Sequence, residues 1–212
     1  MMSRRFLIAA MAALPLPLAA LGVPCAARAQ AEGPAAPISL LNQALIQVMR
    51  AGSAGTPFPQ RYNALAPVID QVFDLQTILQ TSVGLRWEQL PAEQQAELAQ
   101  VFRAFTICSW AANFDSYDGQ QFEILPEQRS VGADQVVATR LVRGSKFTRL
   151  DYLMRQGPAG WKAVDVLLDG SISRVAVQRS DFRSLMSSGN AEPLIRSLQQ
   201  KVAQLSGGTV SS

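Results

Sequence analysis

At Asp118-Gly119 the apolar residues change their spacing from three-to-four to two, and no other feature narrows the fold as much. Upstream, Leu40, Leu41, Ala44, Leu45 and Val48 predict a helix over 39–50 with Ser39 as its N-cap. Phe58, Tyr62, Leu65, Ile69, Val72 and Phe73 predict a second, which Pro67 is expected to kink or divide. Asp74 is placed to cap a short third helix over Leu75, Ile78 and Leu79, ending near Gly84. Pro91 opens a long fourth, with Leu98, Phe102, Phe105, Ser109 and Ala112 along one stripe. Downstream, residues 121–125, 135–142, 147–155 and 161–168 alternate as strands, separated by turn-rich stretches such as Gly144-Ser145 and Gly157-Pro158-Ala159-Gly160. Two helices, over 171–187 and 192–204, finish the chain.

Helices, then an antiparallel meander, then helices predict an α+β fold, with a curved antiparallel sheet of about four strands covered by N- and C-terminal helices. No repeat or second composition regime interrupts residues 38–205, which read as a single domain between a flexible leader (30–37) and a flexible tail (206–212). About 180 residues suffice to bury a core. The apolar inventory suits a hollow between sheet and helices as well as a solid core.

The first 29 residues read differently. Two arginines, an apolar run from Phe6 to Val23 broken by Pro15 and Pro17, and Ala27-Arg28-Ala29 make a secretory signal peptide cut after Ala29. An uncleaved anchor is the competing reading, because the run is nearly long enough to span a bilayer. Cleavage removes Arg4, Arg5 and Arg28 and no acid, so the 19 basic residues fall by three to match the 16 acidic ones. A nucleic-acid binder would keep a basic excess, so none is expected as a partner. Cleavage also discards Cys25 and leaves Cys108 as the single thiol, which rules out an intramolecular disulfide. Cys108 lies in an apolar segment and reads as a small buried hydrophobe.

The chain contains no histidine. Ser-His-Asp and Cys-His catalysis and imidazole zinc sites are excluded, and no metal or cofactor is expected. An enzyme would have to rely on carboxylates or a lysine. Asp115 and Asp118 flank Tyr117 but precede a glycine and read as turn residues.

Arg179 is the one charge that falls among apolar residues of a predicted helix. At about 100° per residue it lies within roughly 20° of Ile172 and between Val175 and Ala176. Its guanidinium is expected either to pair with Asp165 or Asp74, locking the helix to the sheet, or to meet a ligand's headgroup. A second basic feature gathers Arg140, Arg143, Lys146 and Arg149 around Gly144-Ser145, either as a docking patch for anionic surfaces or as a solvated hairpin end.

The stretch RYNALAPVIDQVFDLQTILQTSVGLRWEQLPAEQQ, the Phe102/Phe105 helix, the Tyr152 strand and WKAVDVLLDGSISRVAVQRSDF, followed by residues 194–198, stand in an order that resembles the exported lipid-binding proteins of the toluene-tolerance, or Mla-pathway, type. The wording DGSISRVAVQRSDF looks most like the hopanoid-biosynthesis-associated branch. The resemblance covers nearly all of the mature chain. Leu90 departs from it, standing where members often have a polar cap. The resemblance implies a soluble periplasmic carrier that encloses a hopanoid or phospholipid and passes it between an inner-membrane ABC transporter, or another lipid-transfer complex, and the outer membrane, without turnover.

On that reading Phe73, Ile78, Phe102, Phe105, Leu141, Tyr152, Val164, Val166, Ile172 and Val175 are the residues expected to line the apolar pocket; taken singly, each also reads as core. Two alternatives stand beside it. One is a lipid-modifying enzyme using carboxylates such as Asp165 and Asp169. The other is an interaction module of a transporter with a solid core and no ligand.

Overall fold

Ile38, Leu41, Leu45 and Val48 recur on one face of the first helix, and burying that face is what holds it in place. The computed structural model of the chain describes residues 33–211. The expected signal peptide, its cleavage site and Cys25 lie outside the described residues. Helix α1 spans Ala35–Ser53 and therefore begins inside the stretch expected to be a flexible leader. It is followed by α2 (Phe58–Val72), α3 (Leu75–Val83), a 3-10 turn (Gly84–Gln89) and α4 (Ala92–Asn113).

Helix α2 runs unbroken through Pro67, so of the expected kink or division the division does not occur. Proline frees the carbonyl of residue 63, and both Asn63 and Pro67 are exposed, so water can satisfy what the ring removes. Asp74 caps α3 as expected, accepting from the Thr77 backbone N–H at 2.9 Å and its hydroxyl at 2.7 Å. No side chain caps α4; Leu90 is instead buried, and the Gln95 amide donates to the Trp87 and Leu90 carbonyls.

The sheet follows the predicted meander, with β1 (Gln121–Val131), β2 (Asp134–Arg143), β3 (Lys146–Gly157) and β4 (Gly160–Leu168) antiparallel in sequence order. A fifth strand, β5 (Ile172–Ser173), pairs with the end of β4 where a helix was expected to start. Strand β1 is longer than expected because it continues past Pro126. An edge strand tolerates proline, and the register shifts between Ile124 and Gln128. Helices α5 (Arg174–Arg183) and α6 (Glu192–Ser206) complete the chain. Beyond α6, the backbone N–H of Gly208 donates to the Ala203 carbonyl and Val210 packs near Cys108 and Val202, so these residues fold back where a flexible tail was expected.

The helices lie against one face of the sheet, which carries Val137, Leu150, Tyr152, Met154, Ala163 and Val166 into the main core. The junction of α2 and α3 is tied to β4 by a bridge between Phe73 and Ala163, with the Asp74 N–H donating to the Ala163 carbonyl at 2.9 Å. Arg103 of α4 grips Asp70 of α2 with two bonds of 2.8 and 2.6 Å.

The other face of the sheet carries ion pairs beside the buried Val136 and Ala138. Arg155 pairs with Asp134, Arg140 with Glu123, and Arg149 with both Glu127 and Asp151. Arg129 reaches the same Asp151, whose side chain is wholly buried. Gly170, at φ 73°, passes so close to this cluster that an added Cβ would lie 2.9 Å from Arg149 Nε. Three of the four basic residues of the predicted hairpin patch are thus engaged by carboxylates, Arg143 by Asp118. Lys146 alone of the four has no ion-pair partner among the described residues.

Candidate functional site: an apolar cavity between sheet and helices

Sheet and helices do not close into a solid core. A cavity of about 430 Å³ lies between them, a size at which ligand pockets are found rather than packing defects. Helix α4 forms one wall with Phe102, Phe105, Thr106, Ser109, Trp110 and Asn113, the three-and-four spacing of a single helical face, and Phe114 continues it. The sheet supplies Leu141, Thr148, Leu150, Val166 and Leu168. Helix α3 contributes Leu75 and Ile78, the α2–α3 junction Phe73, and α5 Arg174, Val175 and Gln178.

The space stays open because small residues stand among large rings. Phe73 and Trp110 pack with centroids 5.5 Å apart, Trp110 stacks on Phe114 at 5.4 Å, and Phe114 meets Phe122 at 5.9 Å. Ser109 and Thr106, between these rings and Phe102, do not fill the gap. Their hydroxyls donate to the carbonyls of Phe105 and Phe102 at 2.7 and 2.9 Å, so they present little unsatisfied polarity to an apolar guest. Gln178 accepts from the Ser82 hydroxyl at 3.2 Å.

Seven of the ten residues expected to line a pocket stand on this wall: Phe73, Ile78, Phe102, Phe105, Leu141, Val166 and Val175. Three do not. Tyr152 is completely buried and packs against Phe73 at 6.4 Å, with a hydroxyl that has no partner among the described residues; burial pushes its pKa upward. Val164 falls at a bulge, where Leu153 pairs with Asp165 and Met154 with Ala163, and the interruption turns it out of the alternation. Ile172 pairs with Leu168 in β5 and is 50% exposed.

Arg179 needs the plainest correction. Neither Asp165 nor Asp74 pairs with it, and among the described residues it has no hydrogen-bond or ion-pair partner. Because Ile172 and Ser173 belong to a strand, the helix starts at Arg174 and Ile172 is no guide to its inner side. Only Val175 and Phe182 of α5 are buried, and the exposed Arg179 lies at the margin of that narrow strip, over Gly84. A Cβ on Gly84, whose φ is 70°, would meet Arg179 Nη2 at 2.9 Å.

Asp165 has a different task from the one expected. It accepts from the N–H groups of Val166 and Val175 at 2.7 and 3.1 Å and from the Ser173 hydroxyl, and Ser173 in turn caps α5. Asp169 is exposed in the turn at φ 50° and is absent from the cavity wall, whereas Asp165 is on it. Among the described residues no group of three or more cysteine and carboxylate side chains is placed to hold a metal ion, and no helix is long and apolar enough to cross a membrane.

Comparison with known proteins adds to this geometry. A family described as "MlaC protein" matches residues 41–200. A search of curated proteins finds no match. Among solved structures, the chain is similar to the phospholipid-binding protein from Ralstonia solanacearum, determined in complex with a phospholipid. The two are 22% identical with a TM-score of 0.66, over 79% of this chain and 97% of that one. At that identity the likeness speaks for the fold.

Proposed function

The chain belongs to the MlaC family, and on that premise we propose that it is a periplasmic lipid-binding shuttle, carrying a phospholipid or a hopanoid between an inner-membrane ABC transporter, or a related lipid-transfer complex, and the outer membrane. The observation that carries the proposal is the cavity of about 430 Å³ walled by aromatic and aliphatic side chains. Each CH₂ taken out of water is worth about 0.8 kcal/mol, so moving a long-chain lipid unescorted across an aqueous space costs on the order of ten kcal/mol. An apolar hollow offsets that cost without needing a reactive group. The polar wall residues are largely engaged within the protein, which supports binding and release over turnover. A solid core between sheet and helices would favour the interaction-module alternative, and the cavity weighs against it. A phospholipid cargo draws support from the Ralstonia protein's bound ligand, and a hopanoid cargo from the wording of residues 169–182.

The test is to express the protein with its own leader, purify it, extract it with organic solvent and identify the lipids released. The reading expects a lipid in the extract and renewed uptake from liposomes after stripping. A lipid-free extract together with no uptake would overturn it.

A further inference from the structure

Arg179 found no carboxylate, and it does not stand alone. Among the described arginines only Arg174, Arg179 and Arg183 have no hydrogen-bond, ion-pair or aromatic partner, and two of these three meet in one place. Arg179 and Arg183, exposed and one turn apart on α5, border a second hollow of about 240 Å³ between α5 and the 3-10 turn, together with the half-buried Arg86. The buried Val83, Phe182 and Met186 give it an apolar floor. None of its residues is shared with the lipid cavity.

The local sequence builds this groove. Gly84 turns the chain out of α3 at φ 70° and leaves the room above its Cα to the Arg179 guanidinium. Trp87 and Leu90 take the inward positions of the turn that follows, and Leu85 is left 89% exposed beside the groove. Arg86 Nη1 donates to the carbonyls of Arg183 and Met186 at 2.8 and 2.9 Å, which fixes that guanidinium at the end of α5. Three permanent positive charges therefore surround an apolar floor, and no carboxylate lines it. Glu88 and Asp181, the nearest acids in sequence, are exposed and lie outside it. Charges of one sign gathered in a recess fit a partner of the opposite sign.

We propose that this groove is a docking site for an acidic segment of a partner protein, which lays an apolar side chain on Phe182 and Met186 and sets carboxylates against Arg179 and Arg183. The planar fork of an arginine takes both oxygens of a carboxylate, and arginine is one of the residues that dominate interface energies. A recess receives a protruding side chain, whereas a flat layer of lipid headgroups would meet only its rim and leave the floor unfilled. This deepens the shuttle reading, on which it rests, since a carrier that hands lipid to a complex needs a face for that complex. Helix α5 carries the lipid cavity on one side, with Val175 and Gln178, and the groove on the other.

The experiment selects binders to the purified protein from a random peptide library displayed on phage. The selected peptides are expected to carry an excess of aspartate and glutamate around an apolar residue, relative to the starting library. Synthetic copies should bind the double variant Arg179→Gln, Arg183→Gln at least about tenfold more weakly by fluorescence anisotropy, the scale of losing charge-assisted contacts. Both side chains are exposed, so the variant should fold, which its thermal midpoint checks. Arg179→Lys with Arg183→Lys, which keeps the charge and loses the fork, should recover part of the affinity. No binders, binders without an acidic excess, or acidic binders that hold the double variant as tightly as the wild type would overturn the proposal. Sedimentation with phosphatidylglycerol vesicles runs beside it: wild-type sedimentation that the double variant loses would reassign the groove to a membrane surface and overturn the proposal too. Lipid uptake from phosphatidylcholine vesicles should be equal in wild type and double variant. Uptake by neither would overturn the shuttle reading while leaving the peptide result to decide the groove.

Discussion

The two faces of one sheet solve different problems with alternate residues of the same strands. Along β3, Leu150, Tyr152 and Met154 point to the helices and the cavity side, while Arg149, Asp151 and Arg155 point away into a lattice of ion pairs. A packed core would let the inner face fix the sheet's shape by contact on both sides. Here part of that face borders open space, where side chains have no partners to hold them. The outer face compensates with directional bonds: Asp151 joins Arg129 to Arg149, Arg149 reaches on to Glu127, and Asp134 holds Arg155 across the β2–β3 pair. Rigidity behind the wall makes up for the contacts that the wall itself lacks.

That contrast predicts where substitutions hurt. The largest loss is expected on the outer face: Asp151→Ala removes the buried carboxylate that joins Arg129 to Arg149, leaves Arg149 with Glu127 alone, and should destabilise the protein by about 2–3 kcal/mol, measured by urea unfolding. A cost below that of a surface pair would remove the outer lattice from the account. A smaller effect is expected on the far side of α4, at Cys108, whose thiol is pushed by burial from 9.0 up to about 11. The folded state then keeps a proton that the unfolded state loses, so stability should be unaffected by this group below pH 9 and fall as the pH rises from about 9 to about 11. Cys108→Ala should flatten that part of the profile, and an unchanged slope would contradict the assignment. The smallest change is expected on the inner face, at Tyr152→Phe. Removing a buried hydroxyl that has no partner should leave stability unchanged or raise it by up to about 1 kcal/mol. A clear loss would mean that the hydroxyl is satisfied in solution and that the inner face depends on polar contacts too.

The architecture was readable because each element has a strong local period. Among the described residues, the switch at Asp118-Gly119, the Asp74 cap and the short hairpin turns placed five of the six helices and strands β2, β3 and β4 to within a few residues, while β1 runs on past its expected end at 125 to Val131. Helix α5 was less legible, because it buries only Val175 and Phe182, and nothing local announces that Ile172-Ser173 will add to the sheet. From that one shift came the misplacement of both Ile172 and Arg179. Val164 failed for a related reason, since a bulge breaks the parity on which strand reading depends. The cavity-lining residues that went unrecognised share a different property. Thr106, Ser109, Asn113 and Thr148 are polar, and a search for an apolar pocket passes over them. Ser109 already lay on the predicted stripe of α4, and a small residue repeated among aromatic ones on a helical face was the available signal for a hollow. Arg174 gave no signal in sequence, because its place on the cavity wall depends on how β5 and α5 dock.

The measurement that bears most directly on the account is lipid uptake from vesicles by the stripped wild-type protein and by Ser109→Trp, each checked for folding by its thermal midpoint. Tryptophan at 109 projects into the hollow from the C-terminal part of α4, so the fold should persist while the room for a lipid is lost. The account predicts uptake by the wild type and little by a folded Ser109→Trp. Equal uptake by the two would contradict it, because the lipid would then have to lie somewhere other than between the sheet and α4.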